Sequence, residues 1–295
     1  MTRWQARTRL HFGLLQIPQG NNSHWPGLDG ETGLPLRQFG GVGLMIDDPA
    51  IVVRVQRSDT WQSQGPCAER ALSFAQQFAK ALPPDLASPF SIVVDQCPPE
   101  HTGLGVGTAL GLSVSKAISL EIGLQLSSVE LAQRIGRGER SAIGVHGFDC
   151  GGLIVEGGKL PGMCLSPRIA QHDFPTDWEV TLHTPSDSST WFGQRERDAF
   201  RQLQKNSGPD SEEINRLCRL IVLGILPGIA SGDLQTFGEA VYEYNSRVGE
   251  IFASVQGGRY STPGITEKIA SLRRSGIRCV GQSSWGPTIF AITAK

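Results

Sequence analysis

The stretch from Pro99 to Thr108 constrains this chain more than any other. Phe90 to Asp95 is a short β-branched run and reads as a strand, and Pro98-Pro99 ends it. Glu100-His101-Thr102-Gly103-Leu104-Gly105-Val106-Gly107-Thr108 follows, and then a helical pattern from about Ala109 to Ile122. Glycines let a backbone turn sharply and come close to a ligand. The first turn of a helix presents unpaired N–H groups and the positive end of its dipole. Together they predict an anion cradle built from Gly103, Leu104, Gly105, Val106, Gly107 and Thr108. Thr108 either caps the helix or reaches a phosphate or metal oxygen. A tight turn that binds nothing has the same local signature. The loop is not a Walker A sequence, since no Gly-Lys-Ser/Thr follows, and its GxGxG spacing after two prolines fits a dinucleotide fingerprint poorly.

Around this loop the chain alternates strands and helices. Trp4 to Leu14 has period two, with Trp4, Ala6, Thr8, Leu10 and Phe12 on one face and Arg3, Arg7, Arg9 and His11 mainly on the other. Val42–Ile46 and Ile51–Gln56 read as a hairpin turning at Asp47-Asp48-Pro49. Gly151–Val155 and Gly157–Leu160 read as a second hairpin. Helices are expected over 67–82, from 128 to 134, and near 195–205, 210–226, 232–255 and 264–275. Strands are expected at 178–183, 277–281 and 288–293. Residues 16–41 read as a loop. The polar, proline-bearing stretch 161–177 suggests a boundary between domains at 1–165 and 175–295.

The 27 basic and 28 acidic residues leave a net charge of -1, so bulk electrostatics favour neither nucleic acid nor an anionic membrane as partner. Six scattered cysteines, with no CxxC pair, argue against a disulfide framework or a structural zinc. The N-terminus lacks a signal-peptide core. The most apolar run, Ile221 to Ala230, is about half the ~20 residues of a membrane span and contains Pro227. A cytoplasmic location is the resulting expectation.

Pro99-x-x-x-Gly103-Leu104-Gly105 resembles the phosphate-loop motif of the GHMP small-molecule kinases, P-x-x-x-G-L-G-S-S-A. Gly281-Gln282-Ser283-Ser284-Trp285-Gly286-Pro287-Thr288 is similar to that superfamily's C-terminal glycine motif, and Arg9-Leu10-His11-Phe12-Gly13 lies where its first motif lies. The resemblance covers most of the chain. It implies an α+β, two-domain fold, with an N-terminal GHMP domain and a C-terminal ferredoxin-like domain about a cleft. Two departures stand out. The kinases carry two serines after Gly-Leu-Gly, where this chain has Val106 and Gly107. They also carry a catalytic aspartate where Arg140-Ser141-Ala142-Ile143-Gly144 has Gly144.

One branch has matching departures, the β-ribofuranosylaminobenzene 5'-phosphate synthases of methanopterin biosynthesis. The shared segments are Arg9-Leu10-His11, Gly40-Gly41-Val42-Gly43, Gly103 to Thr108, and Arg140 to Gly144 with Asp149 and Gly151-Gly152. The resemblance implies phosphoribosyl pyrophosphate as donor, para-aminobenzoate or para-hydroxybenzoate as acceptor, and Mg2+ as cofactor. Arg9 is then a candidate for binding acceptor carboxylate or phosphate, with His11 donating to the same group. Asp149 is a candidate for metal binding or cation stabilisation, and a surface turn carboxylate is the competing reading. Arg140 reads as a phosphate ligand or a plain ion pair, and Arg37 as part of a loop closing over substrate. Glu100 reads as a magnesium ligand or a solvated carboxylate, and His146 as an acid or a structural partner. Many relatives form dimers, so a homodimer is an expectation of the resemblance alone. The alternatives are an ATP-dependent kinase with a relocated base, and a non-catalytic phosphate-ligand binder.

Overall fold

The computed structural model describes residues 1–16, 28, 33–185, 198, 201–203 and 211–295. A first sheet has the order β3-β4-β2-β5-β6, with β1 paired to β2. Its strands are β1 (Thr2–Gln16), β2 (Phe39–Arg57), β3 (Gln62–Gln64), β4 (Phe90–Gln96), β5 (Leu153–Glu156) and β6 (Arg168–His172). The helices α1 (Ala68–Lys80), α2 (Val106–Glu121), α3 (Ser128–Arg134) and α4 (Ile143–Cys150) pack with it. Helix α2 is the central one. Leu110, Leu112, Val114, Ala117 and Ile118 are fully buried in it, so it is apolar nearly all round, as a helix enclosed by sheet and neighbours must be.

The hairpin expected at residues 42–56 does not form. β2 is one long strand, and β1 pairs with it on both sides of Asp47–Pro49, with Ala6 opposite Ile51 and Thr8 opposite Ile46. The extra residues bulge outward, and the Thr8 hydroxyl donates to Pro49 O at 2.9 Å to hold the bulge. The second expected hairpin is also absent. β5 lies between β2 and β6, antiparallel to both, and Lys159 makes only an isolated bridge to Gln38.

The second sheet, order β7-β9-β8, is antiparallel: β7 (Trp178–His183), β8 (Cys279–Gln282) and β9 (Ile289–Ala294). Among the described residues it has three strands, one short of the β-α-β-β-α-β ferredoxin-like arrangement. Its helices are α5 (Ser211–Leu220), a π-helical turn Ile221–Ile225, α6 (Leu226–Ser231), α7 (Leu234–Gln256) and α8 (Pro263–Arg274). The helix expected near 195–205 falls mostly outside the described residues. Pro227 does not interrupt the helical path. The wider π turn Ile221–Ile225 directly precedes it, and this local widening accommodates Pro227 within an unbroken helical path. The continuous run Ser211–Ser231 is therefore long and apolar enough, by length and composition, to cross a membrane. In the fold it packs Leu217, Ile221, Ile225 and Ile229 into the core, and Gly224 and Gly228 let it lie close on α7.

The two sheets share one core rather than standing apart. Phe12 of β1 meets Phe290 of β9 at 5.0 Å between ring centroids. Asn245 of α7 donates to Phe12 O at 2.7 Å and Gln282 O at 2.9 Å, and the Tyr244 hydroxyl donates to Gly13 O at 3.1 Å. These bonds fix α7 across the end of β1 and so fix the width of the cleft between the halves.

Candidate active site

A cavity of about 420 Å³ opens where the end of β1, the Gly103–Thr108 loop, the 136–141 segment, α7 and the 282–286 loop meet. Its floor is the start of α2. Gly105 is the N-cap in a left-handed conformation (φ 67°), and no side chain caps the helix. Thr108 N turns back to Gly105 O at 3.0 Å, while the N–H groups of Val106 and Gly107 before it have no capping side chain, which is the arrangement an anion site requires. Thr108 does not cap; its hydroxyl accepts from Arg137 at 3.3 Å.

The C-terminal glycine motif holds this loop from the other half of the chain. The Ser283 hydroxyl donates to Gly103 O at 2.8 Å and accepts from His11 N at 3.0 Å, while Ser284 N donates to His11 O at 3.0 Å. Gly103 (φ 89°) has no alternative here, because a Cβ would lie 2.2 Å from Ser283 O. Thus the three sequence segments that carried the resemblance, about Arg9, Gly103 and Ser283, converge on one point.

The positions where the kinases carry serine and aspartate are closed by arginine. A Cβ at Gly107 would lie 2.6 Å from Arg70 Nη2 and 3.2 Å from Arg137 Nη2. Both guanidinium groups also lie over the Phe74 ring, at 5.7 and 5.8 Å from its centroid. A Cβ at Gly144 would lie 3.2 Å from Arg9 Cδ, and one at Gly105 2.7 Å from Arg9 Cγ. The Arg9 side chain thus runs between the loop and the start of α4, and Arg9 N donates to Leu104 O at 3.0 Å to fix its root. With Arg140 and Arg259, five arginines line the cavity, against Glu100 and Glu139. Arg70 is ion-paired to Glu100. Arg70, Arg137 and Arg259 were not legible as site residues in the sequence, because arginines on helices and loops ordinarily read as solvated.

His11 lines the cavity and is buried, with Nε2 3.2 Å from the Ser141 hydroxyl. Burial, then the Arg9 charge, holds its pKa well below the usual value, so it is a neutral imidazole. Behind Ser141 lies Glu156, fully buried at the end of β5. One carboxyl oxygen accepts from Ala142 N at 2.7 Å; the other has no hydrogen-bond partner among the described residues, though the Ser141 and Ser166 hydroxyls lie close enough to steady its charge.

Three residues singled out in the sequence lie elsewhere. Asp149 is exposed at the far end of α4 and accepts from Ser128 N at 3.3 Å, so it serves the start of α3 and does not reach the cavity. Arg37 is exposed and donates to Gly158 O at 3.1 Å, tying down the segment beside the Gln38–Lys159 bridge. His146 sits 2.7 Å from Ser166 O, a structural contact. Arg7, expected to share a face with Arg9, pairs with Asp47 at 2.7 Å.

The far wall differs in kind. Val248 and Phe252 of α7, Tyr260 and Trp285 contribute apolar surface. Phe252 and Trp285 meet edge to face at 4.9 Å. An arginine-rich floor with an aromatic wall suits a ligand pair of which one is phosphorylated and the other a flat ring.

Residues 69–155 match the GHMP kinases N-terminal domain model. The chain is 32% identical over 99% of its length to the β-ribofuranosylphenol 5'-phosphate synthase of Archaeoglobus fulgidus, covering 88% of it. The chain belongs to the β-ribofuranosylphenol 5'-phosphate synthase family. The Methanothermobacter thermautotrophicus enzyme of the same name is 31% identical over 97% of the chain and 87% of its own length. Among solved structures, the phosphomevalonate kinase of Streptococcus pneumoniae aligns with a TM-score of 0.66 at 11% identity, over 99% of this chain and 91% of that one. A homoserine kinase from Cytophaga hutchinsonii aligns with a TM-score of 0.65 at 14% identity, over 100% of this chain and 85% of that one. At these identities the kinases share the fold alone. The α+β GHMP architecture of this family member is thus established on both counts.

Proposed function

We propose that this chain transfers ribose 5-phosphate from phosphoribosyl pyrophosphate to para-hydroxybenzoate or para-aminobenzoate, with release of CO2 and pyrophosphate. The observation that carries the reading is the arginine filling of Gly107 and Gly144, the two places where a kinase holds a serine and its base. A kinase must orient or deprotonate an alcohol there. Here Arg9 occupies the space of the base, and the same groups suit a ligand with two separate phosphorylated ends.

In this reading the start of α2, Arg70 and Arg137 bind the diphosphate, whose departure breaks the C1–O bond of ribose and takes the electron pair. Pre-placed donors of this kind stabilise the charge as it develops on the leaving oxygen. The acceptor ring lies against Phe252 and Trp285, and its carboxyl-bearing carbon attacks C1. The bond to the carboxylate then breaks, its electron pair restores the ring, and CO2 leaves. The family name of the relatives favours an acceptor with a ring hydroxyl.

Glu100, at the loop and paired with Arg70, is the carboxylate that suits Mg2+ here. The described residues contain no group of three or more His, Cys, Asp and Glu side chains fit to cage a metal. So thin a donor set suits Mg2+, which commonly takes one or two carboxylates and completes its shell with ligand phosphates and water. When bound, it would neutralise charge on the leaving diphosphate.

The test is to incubate the protein with Mg2+, phosphoribosyl pyrophosphate and each carboxyl-labelled benzoate, and to count labelled CO2. Release that depends on the donor supports the reading. No release, with ADP formed from ATP and a small alcohol, overturns it in favour of a kinase.

A further inference from the structure

Cys67 and Cys97 are the one cysteine pair in contact among the described residues, with their sulfurs 3.6 Å apart. The fold brings them together by register. β3 and β4 run parallel, with Gln64 opposite Val93, so the residues that follow leave the sheet at the same end. Gly65 (φ 95°) lets the first segment press onto the second, since a Cβ there would lie 2.0 Å from Val94 O. Cys67 then stands at the N-cap of α1 in a left-handed backbone (φ 56°), uncommon for a residue with a Cβ, and its side chain makes no cap bond. A serine or an aspartate would cap there. The Cys67 sulfur instead accepts from the Cys97 thiol. Both side chains are half-buried and neither lines the cavity, so the chemistry above gives them no task.

We propose that Cys67 and Cys97 form a reversible disulfide, a modification site that responds to a peroxide and weakens the hold of the cavity floor on the diphosphate. The consequence for turnover rests on the synthase reading; the bond itself does not. The Cys67 sulfur, as thiolate, attacks one peroxide oxygen. The O–O bond breaks, and the departing hydroxide takes up the proton that Cys67 shed and leaves as water. The Cys97 sulfur then attacks the sulfenic sulfur of Cys67, the S–O bond breaks, and the hydroxide leaves with the Cys97 proton as a second water. Two thiols lose one electron each, and one peroxide takes up both. Burial, and then the bond donated to Cys67, pushes the Cys97 thiol up to about 12, so Cys97 keeps its proton near neutrality. The thiolate is the nucleophile, so the first attack falls to Cys67.

The bond reaches the cavity through two stiff connections. Cys67 lies one helical turn before Arg70, and Cys97 is joined to Glu100 by Pro98-Pro99, whose φ angles are fixed. Arg70 and Glu100 pair with each other, and both line the cavity beside the start of α2. Disulfide sulfurs sit about 2 Å apart, so closing the gap draws the roots of this pair together by on the order of 1 Å. The Arg70 guanidinium is then held to Glu100 and away from a ligand. Displacements of about 1 Å in groups that position a substrate are felt strongly in catalysis.

The test treats the reduced full-length protein with one equivalent of hydrogen peroxide, alkylates the free thiols and maps the peptides by mass. The expected product links Cys67 to Cys97, with Cys150, Cys164 and Cys218 still alkylated, and dithiothreitol reverses it. In the same sample KM for phosphoribosyl pyrophosphate rises about tenfold, KM for the benzoate stays within about twofold, and the reductant restores both. Cys97→Ser has the constants of the reduced wild type and keeps its donor KM after peroxide; Cys67→Ser serves if that variant fails to fold. Two alkylated cysteines after peroxide, or a bond from either to another cysteine, overturns the site. The expected bond with an unchanged donor KM overturns its effect on the floor. No product from the reduced protein with either benzoate overturns the synthase reading instead. The affinity for inorganic pyrophosphate then reads the floor directly, and an affinity that oxidation leaves unchanged overturns the effect.

Discussion

The two walls of the cavity solve opposite problems. The wall built from β1, the glycine loop and the start of α4 gathers charge: Arg9, Arg70, Arg137 and Arg140 surround an uncapped helix start, and Glu156 is buried behind them. The wall built from α7, Tyr260 and the 282–286 loop carries no charge of its own among the described residues, setting Val248, Phe252, Tyr260 and Trp285 beside neutral polar groups such as Asn245 and Gln282, and Arg259 next to it is paired to Glu250 at 2.6 Å. The first wall gains grip on anions at a cost in stability, since charges are taken from water before a ligand arrives. The second is an extension of the core and costs nothing comparable. Function should therefore be lost in different ways from the two sides.

Arg9→Ala tests that contrast most severely. Arg9 is half-buried, and removing one member of a charge pair that a ligand buries typically costs about 2–5 kcal/mol of binding. The expected outcome is a drop in kcat/KM of roughly 10³-fold at unchanged or slightly improved thermal stability. Arg9→Lys should recover little, because an ammonium does not reproduce a planar fork. A variant that keeps full activity would remove Arg9 from the site.

Stability itself reports on the buried carboxyl. Glu156 titrates near 7 in the fold against an ordinary 4.5. Between those values the folded state holds one proton more than the unfolded chain, so this group makes stability fall as pH rises across that window, and above it the penalty is complete. The difference corresponds to about 3 kcal/mol at ~1.4 kcal/mol per unit. Glu156→Gln should thus melt about 5 °C higher than wild type at pH 8 and within a degree or so of it at pH 5, by calorimetry at both pH values.

Restoring a kinase side chain should harm rather than convert the site. Gly107 lies inside α2 with ordinary helical backbone, so Gly107→Ser is tolerated by the fold, yet its Cβ meets the Arg70 and Arg137 guanidinium groups. KM for the donor should rise about tenfold, near 1.4 kcal/mol, with no ATP-dependent phosphorylation gained. On the opposite wall, Trp285→Ala or Phe252→Ala should raise KM for the benzoate by roughly five- to tenfold through loss of aromatic contact, and leave the donor KM within about twofold. Donor and acceptor constants that moved together in both variants would erase the division between walls.

The glycine loop, the first strand and the C-terminal motif were legible because their function depends on backbone, and backbone demands leave glycines in the sequence. The arginine wall was not, because Arg70 and Arg137 come from α1 and the 136–141 segment and meet only when both pack on Phe74. Helix α4 was hidden by the glycines that make it useful: Gly144 admits Arg9 and Gly147 admits Met45, and both weaken helix propensity. β2 looked like a hairpin because Asp-Asp-Pro is turn chemistry, while the pairing that overrides it lies on β1, more than thirty residues upstream. The signal for Glu156 was present in Leu153-Ile154-Val155-Glu156, a carboxylate ending a run that the sheet buries on both faces.

The smallest expected effect is as informative as the largest. Asp149 and Arg37 had the same claim from sequence as Arg9, each standing within or beside a segment of the resemblance, yet both are exposed and bonded to backbone outside the cavity. Asp149→Asn keeps an oxygen for Ser128 N, and Arg37→Ala removes one exposed hydrogen bond, so each should change kcat and both KM values by less than about twofold and stability by under ~1 kcal/mol. A large loss of kcat in Asp149→Asn would mean that α4 moves to carry its last turn into the cleft. Arg9, packed against Gly144 at the other end of that helix, would then have to move as well, and the division between a charged wall and an uncharged one would hold only for the open protein.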